Sequence, residues 1–135
     1  MSLKEHWRID VILPVENTAP QSLPLKMSEA ITICPVLEDI LTLLGKSDPI
    51  GREGNYECVY SILPGIGGFV PGEGASPVNG KPGITASGPN YVFRTHAPVD
   101  IDFSLVENFI NAVAAIHPWE HPTISLTRPV LWAPD

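Results

Sequence analysis

Apolar and polar residues alternate along residues 6–15, near the beginning of the chain. One face of this segment, taken as an extended chain, carries only apolar side chains: Trp7, Ile9, Val11 and Leu13. The opposite face carries Arg8, Asp10 and Ile12, so the polarity changes with a period of two. This period predicts a first β-strand with one strongly apolar face and one mixed face.

Two later segments have the period of an α-helix. The first covers residues 35–44, with Pro35 where a first turn favours it and Gly45 where a helix commonly ends. Its apolar stripe consists of Val36, Leu37, Ile40, Leu41 and Leu44. The second helix is expected to begin at a capping box formed by Ser104 and Glu107 and to stop before Pro118. Its buried side is expected to contain Val106, Phe109, Ile110, Val113 and Ile116.

Three further strands are predicted, at residues 56–63, 91–97 and 123–127, and residues 129–132 are expected to continue along an edge. Residues 64–89 have neither a helical nor a strand period, and their Gly and Pro content predicts a long loop. Residues 16–34 are expected to form an insertion or loop, with one short element around residues 25–33.

The predicted order of elements is strand, helix, strand, strand, helix, strand, within a single α+β domain over residues 1–135. Each helix joins two strands that must lie parallel, and right-handed connections then place both helices on one face of an antiparallel sheet. This arrangement is a ferredoxin-like βαββαβ sandwich. We expect another subunit to cover the second face of the sheet. The residues expected there are Ile12, Val59, Leu63, Val92 and Trp132.

Composition narrows the classes of function. The chain has 135 residues, which is enough for one buried core without metal or disulfide support. A net charge of −7 without a Lys/Arg cluster argues against nucleic-acid binding. No apolar run approaches the length of a membrane span, and no secretory segment is recognisable, so we expect a cytoplasmic protein that does not bind membranes. Cys34 and Cys58 are expected to be reduced, buried packing residues.

Two motifs resemble a known family. The first lies in residues 54–83, which contain Gly-Asn-Tyr at 54–56, Gly-Phe-Val-Pro-Gly-Glu-Gly-Ala-Ser-Pro at 68–77, and then Gly80 and Gly83. The second is His-Pro-Trp-Glu-His-Pro at residues 117–122, where the second helix ends. Together they resemble the small domain inserted in proteins of the Nif-three (NGG-interacting factor three) family, which also occurs alone in short bacterial proteins. The resemblance covers about residues 51–126.

The resemblance implies a ferredoxin-like domain similar to the copper-tolerance protein CutA and to the PII signal proteins, which assemble as trimers through sheet faces and edges. It therefore implies a homo-oligomer, a trimer in preference to a dimer. It implies no established activity, because the two-metal site of full-length members belongs to a larger surrounding domain. This chain departs from the family pattern at His121, where the family commonly has Glu, and at residues 19–33, which look inserted.

The glycine-rich segment is a candidate binding site. Gly65, Gly67, Gly68, Gly72 and Gly74 could present backbone N–H groups to an anion. No Gly-Lys-Ser/Thr sequence follows, as it would in a nucleotide-binding loop. We therefore favour the interpretation that these glycines fold the loop back over the sheet or onto a neighbouring subunit. The residues expected to form a ligand site between subunits are Gly67, Gly68, Phe69, Pro71, Gly72, Glu73, Gly74, His117, Pro118, Trp119 and Glu120.

The turn at residues 117–122 also offers an alternative, a divalent-metal site for Zn or Cu. Its ligands would be His117, Glu120 and His121, with His96 as a fourth. A structural interpretation competes with it, in which His117 hydrogen-bonds nearby backbone and Glu120 accepts N–H groups from the glycine loop. We favour this interpretation because prolines hold the turn extended and the spacing is not a recognised metal motif.

No catalytic residue is assigned. Cys58 falls in an apolar strand that disfavours a thiolate, and Ser61 lacks the GxSxG sequence of a nucleophile elbow. Three carboxylates remain that the sequence cannot pair for acid–base chemistry: Glu57, Glu73 and Glu120. The leading hypothesis is a non-enzymatic oligomeric module, without a cofactor, that binds a small molecule or a protein partner. The alternatives are a CutA-like metal binder and an uncharacterised enzyme.

Overall fold

A computed structural model describes residues 2–16, 26–77 and 80–134. The strands are β1 (Ser2–Pro14), β2 (Tyr60–Phe69), β3 (Ala86–Pro98), β4 (Ile124–Thr127) and β5 (Val130–Ala133). The helices are α1 (Met27–Ile33), α2 (Val36–Gly45) and α3 (Phe103–Ile116). Among these helices, none combines the length and the apolar character needed to cross a membrane.

The strands form one antiparallel sheet in the order β2-β3-β1-β4. Because α2 lies between β1 and β2 in the chain, and α3 between β3 and β4, this is the ferredoxin-like order. The predicted α+β fold class is therefore confirmed. β5 pairs with residues 2–5 of β1, so the first strand begins four residues earlier than predicted and the tail does continue along an edge.

The hydrophobic core lies between the helices and one face of the sheet. β1 contributes Ile9, Val11 and Leu13, each fully buried, as its alternation predicts. The buried residues of the two long helices are Leu37, Ile40, Leu44, Val106, Phe109 and Val113, all of which belong to the predicted apolar stripes. Burial of these stripes against one sheet face supplies the main driving force for folding.

The segment at residues 16–34 is only partly described, because residues 17–25 lie outside the described residues. The short element expected around residues 25–33 is the helix α1. Its Ala30 is buried in the core, and the N–H of Glu16 donates to the Ile33 carbonyl at 3.0 Å. The described part of the segment therefore packs on the domain as a helix, whereas its interpretation as an insertion stays a prediction.

Residues 64–89, predicted as a loop, form part of a long β-hairpin at both ends of the segment. The loop prediction is therefore wrong for these two ends. β2 continues to Phe69 and β3 begins at Ala86, with Gly67 opposite Gly88. Local composition misleads here because Pro64 lies in an edge strand and Pro89 lies where β3 is no longer paired with β1. A missing N–H is tolerated at such positions.

Two further boundaries differ from the prediction. β2 begins at Tyr60 rather than at residue 56, because residues 53–56 form a turn closed by an isolated bridge. α3 begins at Phe103, and its N-cap is Asp102, whose carboxylate accepts from the Ser104 N–H at 2.9 Å. This hydrogen bond lowers the pKa of Asp102, and the predicted capping box at Ser104 is wrong.

The two cysteines lie in different environments. Cys34 is fully buried, and burial raises the pKa of its thiol to about 11. Cys58 is exposed in the irregular segment before β2. Its φ is 54°, a value that residues other than glycine rarely adopt. Both thiols are free, as predicted. The predicted burial is confirmed for Cys34 and is wrong for Cys58.

Candidate functional site

The face of the sheet opposite the helices changes character along the strands. The register aligns Ile12, Val92 and Leu63 in one row across β1, β3 and β2. The next row is charged, with Arg94 donating two hydrogen bonds to Asp10 at 2.9 and 3.0 Å. The face is therefore apolar only towards the hairpin.

Two residues predicted for this face lie elsewhere. Val59 precedes β2, and Trp132 lies in β5 opposite Leu3, beyond the charged row. The apolar part of the face is consequently smaller than the sequence suggests.

A cleft of about 750 Å³ opens beyond the apolar row. Its inner surface includes Ile12 and Pro14 from the end of β1, together with the hairpin strands. The hairpin contributes Gly67 and Phe69 from β2 and Asn90 from β3. The volume falls in the range of sites that take small organic ligands.

The other wall of the cleft comes from two segments that are distant in sequence. Pro71 and Ala75 belong to the loop after β2, whereas Trp119 and Glu120 belong to the turn after α3. The Ser76 N–H donates to the Glu120 carboxylate at 2.8 Å and joins the loop to the turn. This bond confirms the prediction that Glu120 accepts an N–H group from the glycine loop.

His117 fixes the position of the turn. It is 8% exposed, its Nε2 donates to the Ile12 carbonyl at 2.6 Å, and its Nδ1 accepts from the Trp119 N–H at 3.1 Å. Because a backbone N–H can only donate, Nδ1 carries no proton and the ring is neutral. Burial lowers the pKa of His117, in agreement with the neutral ring. The structural interpretation of His117 is thus confirmed.

Asn90 occupies a slot that two glycines leave open. A Cβ placed on Gly65 would lie 2.7 Å from Asn90 Oδ1, and one on Gly67 would lie 2.8 Å from Asn90 Nδ2. Any other residue at either position would displace the amide. Sequence reasoning missed Asn90, although glycines two residues apart in a strand indicate a gap on one face.

The structure brings together about half of the predicted site. Gly67, Gly68, Phe69, Pro71, Trp119 and Glu120 line the cleft. The predicted residues outside its lining are Gly72, Glu73, Gly74, His117 and Pro118. The lining also includes Ile12, Asn90 and Thr123, which sequence reasoning did not select.

Of the four alternative metal ligands, Glu120 and His121 line the cleft, whereas His96 and His117 are not among its lining residues. His96 lies opposite Arg8, four residues along β1 from Ile12 and hence roughly 13 Å away. It faces Glu53 at 3.7 Å, and burial lowers its pKa. Both ring nitrogens of His117 are engaged, as described above. Within the described residues, no group of three or more His, Cys, Asp or Glu side chains is placed to hold a metal ion.

The glycines proposed as an anion nest do not form one. Gly65, Gly67 and Gly68 belong to the extended strand β2, and the two others lie outside the cleft. Among the described glycines, positive φ, which a nest requires, occurs instead at Gly51, Gly54, Gly80 and Gly83. Among the described residues that line the cleft, the ionisable side chains are those of Glu120 and His121.

The weighed nucleophiles also lie apart from the cleft. Neither Cys58 nor Ser61 is part of its lining. Glu57 pairs with Arg52 at 3.0 Å, and Glu73 lies outside the cleft. Of the three carboxylates considered for acid–base chemistry, only Glu120 lines it.

A solved structure of similar fold is described as the crystal structure of a Bacillus cereus protein related to NIF3. The two chains match with a TM-score of 0.61 and 22% identity, over 96% of this chain and 27% of that chain. This chain therefore spans about a quarter of the length of that protein. No protein-family model and no curated protein sequence matches it. At this level of identity, the match shows that this chain shares its fold with a NIF3-related protein.

Proposed function

We propose that this chain is a non-enzymatic cytoplasmic module that binds a small organic ligand in the cleft between the hairpin and the turn after α3. One observation carries the proposal: the hydrogen bond between Ser76 and Glu120 closes two distant segments around a space of about 750 Å³. The walls are mostly apolar, with a few polar groups, as in small-molecule sites generally.

The rigidity of the surroundings supports this function. β1 and β3 form one side of the cleft and are paired with neighbours along their length. The turn on the other side is held to β1 by His117. A site whose walls are already in place loses little conformational entropy when a ligand binds.

A titration of isotopically labelled protein with indole, followed by backbone amide NMR signals, tests the proposal. We expect saturable shifts at Gly67, Gly88 and Trp119, because these residues line the cleft. Thr123→Trp should abolish the shifts, since Thr123 also lines the cleft and a large ring there fills it.

Thr127→Trp is the matched control, because Thr127 is an exposed threonine at the other end of β4, opposite Arg8. It should leave the indole shifts unchanged. Shifts scattered over the surface, or shifts that persist in Thr123→Trp, would contradict the proposal.

We further propose that copies of this chain assemble next to the cleft. Among the described strands, β2 pairs only with β3, so no described strand covers its outer edge, and Ile66 of β2 is 86% exposed. The apolar row also ends in Leu63, which is 36% exposed. Unpaired edges and exposed apolar side chains of this kind are typical of surfaces that meet another chain.

Sedimentation equilibrium should therefore give a mass that is a multiple of the protomer mass. Ile66→Lys should shift the assembly towards the monomer, because it places a charge on the open edge. Leu3→Lys is the control, because Leu3 is an apolar residue of β1 that is 66% exposed and lies away from this edge. A strictly monomeric wild-type protein would contradict the assembly but not the binding of a ligand.

A further inference from the structure

We propose that the ligand is an uncharged planar ring that carries an amide-type edge, with a hydrogen-bond donor and an acceptor side by side, and that Asn90 binds this edge. This inference rests on the proposed function and names the class of ligand. Three features of the cleft carry it: the position of Asn90, the shape of the surface beside it and the charge of the lining.

The Asn90 amide lies in the space over two glycines and is not used by the protein. Its oxygen and nitrogen lie above Gly65 and Gly67, where a Cβ would come within 2.7 and 2.8 Å of them. The amide forms no hydrogen bond with any of the residues that the structure describes, although it is only half exposed and lines the cleft. An amide offers a donor and an acceptor on one edge, which matches a ligand with the complementary pair.

The surface beside Asn90 is flat. Gly67 and Gly88 lie opposite each other in the hairpin, so two strands present backbone without side chains at this level. Trp119 and Pro71 line other parts of the cleft and offer flat apolar faces. A planar ring contacts peptide groups and an indole over a larger area than a branched aliphatic group does.

The charge of the lining disfavours strongly anionic ligands. Among the described lining residues, Glu120 is the one acid and the imidazole of His121 is the one base, and neither Lys nor Arg is present. A carboxylate or phosphate brought into this space would lose water and meet the Glu120 carboxylate without a permanently charged cation to offset it. An uncharged ligand avoids that loss, and the amide of Asn90 can still orient it.

Three probes of the same size test the inference: benzamide is neutral, benzoate is anionic and benzamidine is cationic. Their dissociation constants are measured by NMR titration of the wild-type protein. Benzamide should bind about ten-fold tighter than benzoate, because only benzamide satisfies both groups of Asn90 without an added charge. The side-chain NH₂ signals of Asn90 should shift with benzamide.

Asn90→Asp keeps the shape of the side chain but replaces its donor by a second acceptor. It should weaken the binding of benzamide by about ten-fold. It should strengthen the binding of benzamidine, which offers only hydrogen-bond donors. Asn108→Asp makes the same change at an exposed position of α3, and it should leave all three affinities unchanged.

Two outcomes overturn the inference and leave the proposed function standing. One is indole binding in the cleft together with benzoate binding as tight as benzamide, or with no benzamide binding. The other is an unchanged benzamide affinity in Asn90→Asp. The comparison of the three probes uses only the wild-type protein. It therefore still tests the inference if Asn90→Asp does not fold. Absence of indole binding in the cleft would instead overturn the proposed function.

Discussion

Replacement of Phe93 by alanine should lower the free energy of unfolding by about 3–5 kcal/mol, measured by urea denaturation. Phe93 is fully buried in β3 and stacks on Tyr60, with ring centroids 5.6 Å apart. It lies between Val11 of β1 and Ile62 of β2. Because strands on both sides hold the backbone, the cavity left by the ring cannot collapse easily, and the full loss of packing is expected.

Phe103→Ala is the matched control. Phe103 is the first residue of α3 and is 42% exposed, with its ring 5.4 Å from that of Trp7. Its loss should lower the free energy of unfolding by about 1 kcal/mol, because much of its surface already contacts water. Equal losses at Phe93 and Phe103 would contradict the placement of the core between the helices and this face of the sheet.

Replacement of His117 by leucine should lower the free energy of unfolding by about 2–4 kcal/mol at neutral pH. Leucine has a comparable volume but leaves two backbone groups without their partner: the Ile12 carbonyl and the Trp119 N–H. The Ile12 N–H already donates to Thr123, so His117 completes the pairing of this part of β1. The loss should also weaken binding in the cleft, because the turn that carries Trp119 is no longer held to β1.

The same residue should make stability depend on pH. Burial lowers the pKa of His117 in the folded protein below its ordinary value of 6.5, so the unfolded chain binds its proton first as pH falls. The contribution of His117 is therefore complete above pH 6.5 and decreases as pH falls below that value. His96, whose pKa burial also lowers, acts in the same direction.

Urea denaturation at a series of pH values checks this dependence. Between pH 7.5 and 5, the wild-type protein should lose stability, and His117→Leu should lose less because only His96 then contributes. His121→Leu, at an exposed position of the same turn, is the control and should change stability at pH 7.5 by at most about 0.5 kcal/mol. Identical pH profiles for wild-type protein and His117→Leu would contradict the assigned role of His117.

Several boundaries could not be predicted from local sequence. Pro64 and Pro89 disfavour a strand in isolation, but the positions that they occupy in the sheet tolerate a missing N–H. Asp102 and Ser104 are both good N-cap residues by type, and α3 is capped by Asp102. The burial of Cys58 was predicted from a strand at residues 56–63, but β2 begins at Tyr60, two residues after Cys58.

The sequence by itself determined the fold class of this protein, because the period of apolar residues decides which side chains share a face. Alternation in β1 and the helical stripes of α2 and α3 therefore predicted the core and the ferredoxin-like order correctly. Only the tertiary structure decided the cleft. Its walls depend on contacts between residues distant in the chain, such as Ser76 with Glu120 and Ile12 with His117. No local pattern encodes such contacts, since they arise when the sheet brings the hairpin and the turn together.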